Sequence, residues 1–93
     1  MIAKRAIFAG RVQGVGFRFS TKQIATGFDV TGWVKNLVDG TVELQVKGEP
    51  EEVDEFLLEI RENSSLAHYV QEFHENEIPL DDLDGVNGFS IVR

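Results

Sequence analysis

The sequence predicts an α+β fold in which two helices cover one face of an antiparallel sheet, in the order βαββαβ with a short further strand. Three observations support this class. Residues Thr41 to Lys47 alternate apolar and polar side chains, as a strand with one buried face does. From Pro50 onward the apolar side chains recur at helical spacing instead. Extended and helical segments follow one another along residues 1–93, which is enough chain for a single domain with one core.

The first strand and helix are predicted on either side of a glycine-containing loop. Residues Ala3 to Val12 place apolar side chains among basic ones and predict a strand. A helix follows from Phe17 or Arg18 to Thr26, ended by Gly27 in the position after a helix that glycine favours. Its inner face is predicted to carry Phe17, Thr21, Ile24, Ala25 and Phe28.

Two further strands form a predicted hairpin. The second strand covers Val30 to Lys35 and the third covers Thr41 to Lys47, which alternates strictly in polarity. The connection Asn36 to Gly40 ends in Asp-Gly, a common turn signal.

The second helix carries the clearest pattern. Pro50 suits the first helical position, the acids after it suit the positive end of the helix dipole, and the segment Asn63-Ser64-Ser65 ends the helix near Glu62. Its apolar positions are Val53, Phe56, Leu57 and Ile60. A fourth strand is predicted within Leu66 to Glu75, with Tyr69 and Phe73 on one side and His68 and His74 on the other. Residues Ile78 to Asn87 read as an acidic connector, and Phe89 to Val92 as a short last strand.

Composition limits the function classes. The chain has no cysteine, which excludes disulfides, thiolate catalysis and cysteine-bound metal. No apolar run approaches a membrane span, and the first residues lead into a charged strand, so we expect a cytoplasmic protein. The first 35 residues hold six cations and one anion, whereas the rest holds three cations and fifteen anions. An acidic protein is a poor nucleic-acid binder, but its first third is locally basic and can attract a small anion.

The segment Gly10 to Arg18 carries the strongest chemical signal, since it joins a predicted strand to a predicted helix. Glycine at positions 14 and 16 allows backbone conformations that other residues disfavour and brings N–H groups close to a bound group. The helix start adds unpaired N–H groups and a positive dipole end. Arg18 supplies a permanent charge and a planar fork of donors that matches phosphate oxygens. The predicted ligand is a phosphoryl group.

This segment, together with Gly32-Trp33-Val34-Lys35-Asn36 and Asp39-Gly40-Thr41-Val42, resembles the acylphosphatase family, small enzymes that hydrolyse the carboxyl-phosphate bond of acyl phosphates. The resemblance continues through Gly48, the helix from Pro50 and the final Gly88 to Arg93, and so spans nearly the whole chain. It implies a ferredoxin-like α/β sandwich, in agreement with the order of elements. It also implies a substrate of the acetyl phosphate or carbamoyl phosphate kind, with inorganic phosphate as product.

The resemblance assigns roles to two side chains. Arg18 binds the phosphoryl group, and Asn36 positions the attacking water. Taken alone, Arg18 would more often form a surface salt bridge, and Asn36 before a hairpin is more often a turn-former than a catalyst. The flanking motifs reverse both interpretations and favour the catalytic roles. The reaction needs neither metal nor cofactor, because the leaving group is already activated and the phosphate itself can accept the proton. The predicted phosphate-binding residues are Gln13, Gly14, Val15, Gly16, Phe17 and Arg18, the first five through backbone N–H groups.

The other chemically distinctive residues have structural interpretations. His68 and His74 are expected on one strand, facing solvent and too far apart for a metal pair. The acids around Asp81 lack the later glutamate of a calcium loop. Trp33 is expected to pack between strand and helix, and Phe17 to anchor the loop to the core.

Two alternative functions remain. The first is a non-catalytic module that binds phosphate or acyl phosphate, as similar domains do within larger carbamoyl-transfer maturation proteins. The second is an RNA-recognition sheet, which the acidic composition and the absence of a convincing aromatic pattern disfavour. We expect a monomer that contacts neither nucleic acid nor membrane.

Overall fold

The computed structural model describes all 93 residues, Met1–Arg93, and contains two α-helices and a five-stranded sheet. The order of elements confirms the predicted α+β class and the βαββαβ arrangement with a short last strand. The elements are β1 (Ile2–Gly10), α1 (Phe17–Ala25), β2 (Val30–Asn36), β3 (Val42–Gly48), α2 (Pro50–Leu58), β4 (Val70–Ile78) and β5 (Phe89–Val92).

The strands lie in the order β4-β1-β3-β2-β5. The first four pair antiparallel with their neighbours, as predicted, but β5 pairs parallel with β2, so the sheet is mixed. The connector from β4 to β5 causes this difference. Its helical turn Leu80–Leu83 lies against β1 and β3, where the Lys47 Nζ donates to the Leu83 carbonyl at 3.1 Å. The connector thus crosses beneath the sheet and places β5 at the far edge.

The core lies between the sheet and both helices. Ala6, Leu44 and Val34 stand in one row across β1, β3 and β2, and all three are fully buried. The helices cover this row with their predicted apolar faces, and β3 contributes the buried side chains of its predicted alternation. The core forms because the apolar face of the sheet and the apolar faces of the two helices pack against each other. Buried residues from the helices and the turn that extends α2 are Phe17, Thr21, Ala25, Val53, Phe56, Leu57 and Ile60.

Both helices end close to their predicted limits. A π-helical turn over Glu59–Asn63 extends α2, which confirms the end predicted at Asn63-Ser64-Ser65. After α1, Gly27 occupies the expected position but not a left-handed conformation; its N–H donates to the Ile24 carbonyl at 3.0 Å in a tight turn. Neither helix has the length and apolar composition that crossing a bilayer requires.

The fourth strand begins later than predicted. Residues Ser65–Tyr69 form a 3₁₀ helix, because the Ser64 Oγ accepts from the Leu66 N–H at 3.1 Å and turns the chain. Strand β4 starts at Val70 and extends to Ile78, which the sequence predicts to be the first residue of the connector. His68 therefore lies outside the strand that carries His74, and the prediction that both share one strand was wrong.

Trp33 lies on the sheet face opposite the helices. Its neighbours Gly32 and Val34 are buried beneath the helices, and successive side chains of a strand point to opposite faces. The expectation that Trp33 packs between strand and helix was therefore wrong, because the register of β2 turns it to the helix-free side.

Gly32 offers a test of the packing of β2. A Cβ at this position would stand 2.0 Å from the Gln45 carbonyl oxygen and 2.9 Å from the Val46 Cα, both backbone atoms of β3 that cannot move aside cheaply. We expect Gly32→Ala to destabilise the fold by about 3 kcal/mol, measured by urea denaturation. Gly27→Ala is the matched control, since its Cβ would meet only the Ile24 carbonyl at 3.5 Å; equal stability of the two variants would contradict the register of β2 and β3.

Candidate active site

Three strands end at the same edge of the sheet. Strands β1 and β2 run in the same direction because each pairs antiparallel with β3, and β5 pairs parallel with β2. The carboxyl ends of β1, β2 and β5 therefore point the same way. This edge receives the glycine loop 11–16 after β1, Asn36 at the end of β2 and Arg93 after β5.

The glycine loop takes the conformation that its sequence predicts. Gly14 has φ 79° and Gly16 has φ 77°, both in the left-handed region that residues with a Cβ rarely adopt. Gly16 is also the N-cap of α1, and its carbonyl accepts from the Ser20 N–H at 2.9 Å, so the loop passes directly into the helix. Phe17 anchors this junction, as expected: it is 2% exposed and its ring centroid lies 5.2 Å from that of Phe8.

The loop exposes a run of free N–H groups. Residues 13–16 lie outside helices and strands, and none of their amides donates to an acceptor within the chain. The amides of Phe17, Arg18 and Phe19 at the start of α1 also donate to no backbone acceptor, and the Ser20 N–H is the first that does. Amides at a helix start and in a turn with alternating left-handed residues form a cradle for an anion.

Arg18 lies where this cradle meets α1. Its side chain is half-buried and forms no ion pair with any carboxylate of the chain. The alternative of a surface salt bridge is therefore not what the structure contains. The guanidinium keeps all its donors for another group, and phosphate oxygens match its planar geometry.

Asn36 lies on the same face of the sheet as α1. It follows Gly32 and Val34 at strand spacing, which places it on the helix-covered side at the edge where α1 begins. Its side-chain Oδ1 is buried and has no hydrogen-bond partner in the chain. A buried amide oxygen without a partner is costly, so this atom is suited to accept from a bound molecule.

Arg18 and Asn36 line one pocket of about 220 Å³, together with Gly14, Gly16 and Phe17. The lining contains two arginines and no acid, in a chain whose formal net charge is −7. Of the predicted phosphate-binding residues, Val15 is half-buried and, like the exposed Gln13, lies outside the lining. The sequence interpretation missed four lining residues: Val12, Phe19, Ile91 and Arg93.

The missed residues have different origins. Phe19 follows Arg18 in the first turn of α1 and is 62% exposed, which is unusual for so large an apolar side chain. Ile91 and Arg93 come from the end of β5, where Ile91 pairs with Val34 on the core side. The alternation Phe89, Ile91, Arg93 was the available signal, but it has meaning only once the parallel pairing with β2 is known.

The other candidate residues lie away from this pocket. His68, His74 and the acids Asp81, Asp82 and Asp84 are all exposed, and no group of three or more histidine, aspartate or glutamate side chains is arranged to hold a metal ion.

Asp39 shapes the hairpin next to Asn36. The Thr41 hydroxyl donates to the Asp39 Oδ1 at 2.6 Å, and this bond holds the pKa of the Asp39 carboxyl below its ordinary value of 3.8. The Thr41 backbone N–H, at 3.0 Å from the same oxygen, lowers the pKa further. Side-chain bonds of this kind replace a backbone turn and hold the hairpin tip in one conformation.

The depressed pKa of Asp39 predicts a pH-dependent contribution to stability. An ionised Asp39 favours the folded state, so its contribution is complete above pH 3.8 and is lost as the pH falls below that value through the folded pKa. We expect the wild type to be more stable than Asp39→Asn at neutral pH, with a gap that narrows on acidification below 3.8. Urea denaturation of both proteins across this range measures the gap, and a gap independent of pH would contradict the assignment.

Comparison with known proteins agrees with this geometry. The acylphosphatase family model matches residues 4–91. An acylphosphatase from Clostridium beijerinckii is 43% identical over 91 residues, covering 98% of both chains. The crystal structure of an acylphosphatase from Bacillus subtilis superposes with a TM-score of 0.87 at 35% identity and covers both chains completely. The structure of full-length HypF in its phosphate- and nucleotide-bound form also matches the whole of this chain, with a TM-score of 0.82 and 33% identity, over 12% of its own length. The chain belongs to the acylphosphatase family.

Proposed function

We propose that the chain hydrolyses small acyl phosphates at the pocket between the glycine loop and the end of β2, with Arg18 binding the phosphoryl group and Asn36 positioning water. One observation carries the proposal most directly. The pocket brings together unpaired loop amides, an arginine without an ion pair and a buried amide oxygen without a partner. These are the groups that an anion and a water molecule would satisfy.

The reaction follows from this arrangement. The phosphoryl oxygens accept from the loop amides and from the Arg18 guanidinium, which neutralise charge as the phosphoryl group is transferred. Asn36 Oδ1 accepts from the attacking water and directs its oxygen toward phosphorus. The water oxygen bonds to phosphorus, the bond from phosphorus to the acyl oxygen breaks, and its electron pair leaves with the carboxylate. A phosphoryl oxygen takes the proton of the water, giving carboxylate and inorganic phosphate.

The proposal includes independence from metal ions. The carboxylate is a good leaving group, so positioning and charge stabilisation are sufficient for catalysis, and the arginines of the pocket supply positive charge. We expect phosphate release from benzoyl phosphate to be the same with and without excess EDTA. Loss of turnover in EDTA that Mg²⁺ restores would contradict this part of the proposal.

The alternative is a binding module without turnover. It is favoured by one observation, namely that a domain of this fold forms 12% of the longer HypF chain, whose structure is of the phosphate- and nucleotide-bound form. Phosphate release from benzoyl phosphate by the folded chain, with folding verified by circular dichroism, decides for the enzyme. Binding of phosphate by the folded chain without release decides for the module.

A further inference from the structure

Gln13 was expected to contribute only its backbone N–H to the phosphate-binding loop, but its side chain makes two specific contacts. The Gln13 Nε2 donates to the Leu37 carbonyl at 2.8 Å and to the Thr41 carbonyl at 2.9 Å. These carbonyls stand at the two ends of the hairpin loop between β2 and β3, and Leu37 directly follows Asn36. The side chain therefore spans from the glycine loop to the hairpin.

This pair of bonds is the only hydrogen-bonded link between the two loops. No other backbone or side-chain hydrogen bond joins residues 11–16 to residues 37–41. The hairpin tip has little other support, since Val38, Asp39 and Gly40 are all exposed. The hairpin otherwise holds its shape through the Asp39–Thr41 bonds and two backbone bonds, in which the Leu37 N–H donates to the Thr41 carbonyl at 2.9 Å and the Gly40 N–H donates to the Leu37 carbonyl at 3.1 Å. The Gln13 bonds add a lateral restraint to this hairpin.

The chemistry of the carboxamide excludes phosphate binding by the same side chain. A glutamine Nε2 carries two hydrogens, and both are used by the two carbonyls. The remaining Oε1 is an acceptor and gains nothing from an anion. Glutamate cannot replace the contact either, because an ionised carboxylate would face two carbonyl oxygens without a donor.

We propose that Gln13 is a positioning residue: its side chain ties the phosphate-binding loop to the hairpin and so fixes the Asn36 amide relative to the bound phosphoryl group. The proposal rests on the proposed roles of Arg18 and Asn36. The proposed role affects turnover but not phosphate affinity. The loop's own glycines and α1 form the phosphate cradle, whereas the alignment of water depends on how the two loops are held together. Misplacing a catalytic group by about 1 Å can cost about 10²-fold in rate.

The test is the effect of Gln13→Met on kcat for benzoyl phosphate and on the competitive inhibition constant of inorganic phosphate. Methionine keeps the length of the side chain and removes both donors. We expect kcat to fall about tenfold or more, while the inhibition constant changes by less than about twofold. Gln13→Glu should lower kcat at least as much. Gln23→Met, an exposed glutamine on α1 without side-chain bonds, is the control and should match the wild type.

Each outcome has a definite meaning. Unchanged kcat, or an inhibition constant that weakens as much as kcat falls, would overturn the positioning role. Urea denaturation of each variant identifies a general loss of folding. If Gln13→Met does not fold, Gln13→Glu serves as the second variant. A fall in kcat that only follows the folded fraction of the protein would also overturn the positioning role. Asn36→Ala in the same assay separates the two proposals. If it retains full kcat, the proposed water-positioning role of Asn36 fails, whereas loss of kcat in Asn36→Ala with unchanged kcat in Gln13→Met leaves that role intact and removes only the role of Gln13.

Discussion

Replacing Arg18 with alanine should lower kcat/KM for benzoyl phosphate by about 10³-fold or more, the scale on which arginines act in phosphoryl transfer. The guanidinium has no ion pair in the chain, so its removal leaves no carboxylate unpaired and costs the fold little. What is lost is a charge at the junction of the loop and α1, on which both ground-state binding and transition-state stabilisation depend. Inorganic phosphate should therefore become a weaker inhibitor as well.

Arg11→Ala is the matched control for Arg18→Ala. Arg11 carries the same charge in the same loop, is exposed and forms no ion pair, but it does not line the pocket. If the loss were only one of overall charge, both variants would lose activity to the same extent. Arg18→Lys should retain part of the phosphate affinity, since the charge remains, while the planar fork of donors is gone. Full activity in Arg18→Ala would contradict the assigned role.

Replacing Asn36 with alanine should lower turnover without weakening phosphate binding, unlike the replacement of Arg18. We expect kcat to fall by about 10²- to 10³-fold, because the attacking water loses the group that directs it, while the inhibition constant of inorganic phosphate stays within about twofold. The distinction follows from the chemistry of the two sites. Arg18 and the loop amides are donors that hold the anion, whereas the unpartnered Asn36 Oδ1 is an acceptor that an anion would avoid.

The measurements for Asn36→Ala are initial rates of phosphate release and the competitive inhibition constant. Asn87→Ala, at an exposed asparagine of the connector, is the control and should behave as the wild type. A weakened inhibition constant together with an unchanged kcat would reverse the assignment and make Asn36 a phosphate-binding residue.

The sequence predicted the elements whose signals are local. The alternation of β3 and the helical spacing of α2 involve side chains a few residues apart, and both were confirmed. The predicted start of β4 was wrong because the side chains from Leu66 to Phe73 alternate as those of a strand do. The 3₁₀ helix that replaces the first part of this segment depends on one hydrogen bond, from the Leu66 N–H to the Ser64 Oγ. A single capping bond of this kind has no periodic signal in the sequence.

The sequence predicted those parts of the candidate site that lie within recognisable motifs. The glycine spacing and the resemblance placed Arg18 and Asn36 in one site, and the structure brings both to one pocket, although their catalytic roles remain predictions. The contacts of Gln13 could not be predicted, because its partners are backbone carbonyls 24 and 28 residues away that any residue would present. Ile91 and Arg93 depended on the parallel placement of β5, which the sequence interpretation did not contain.

The strand order has a consequence for how catalytic competence arises as the chain folds. Strands β1 and β2, which carry the two halves of the pocket, do not pair with each other, because β3 lies between them in the sheet. Strand β1 pairs with strands that are distant in sequence: Ile2 lies opposite Gly48 in β3, and Ala3 lies opposite Ile78 in β4. Such distant pairings slow folding relative to helical bundles of similar length, since loop closure precedes the contacts that stabilise it. Recovery of enzymatic activity during refolding should accordingly coincide with formation of the whole sheet, with no earlier phase in which a partly folded chain hydrolyses substrate.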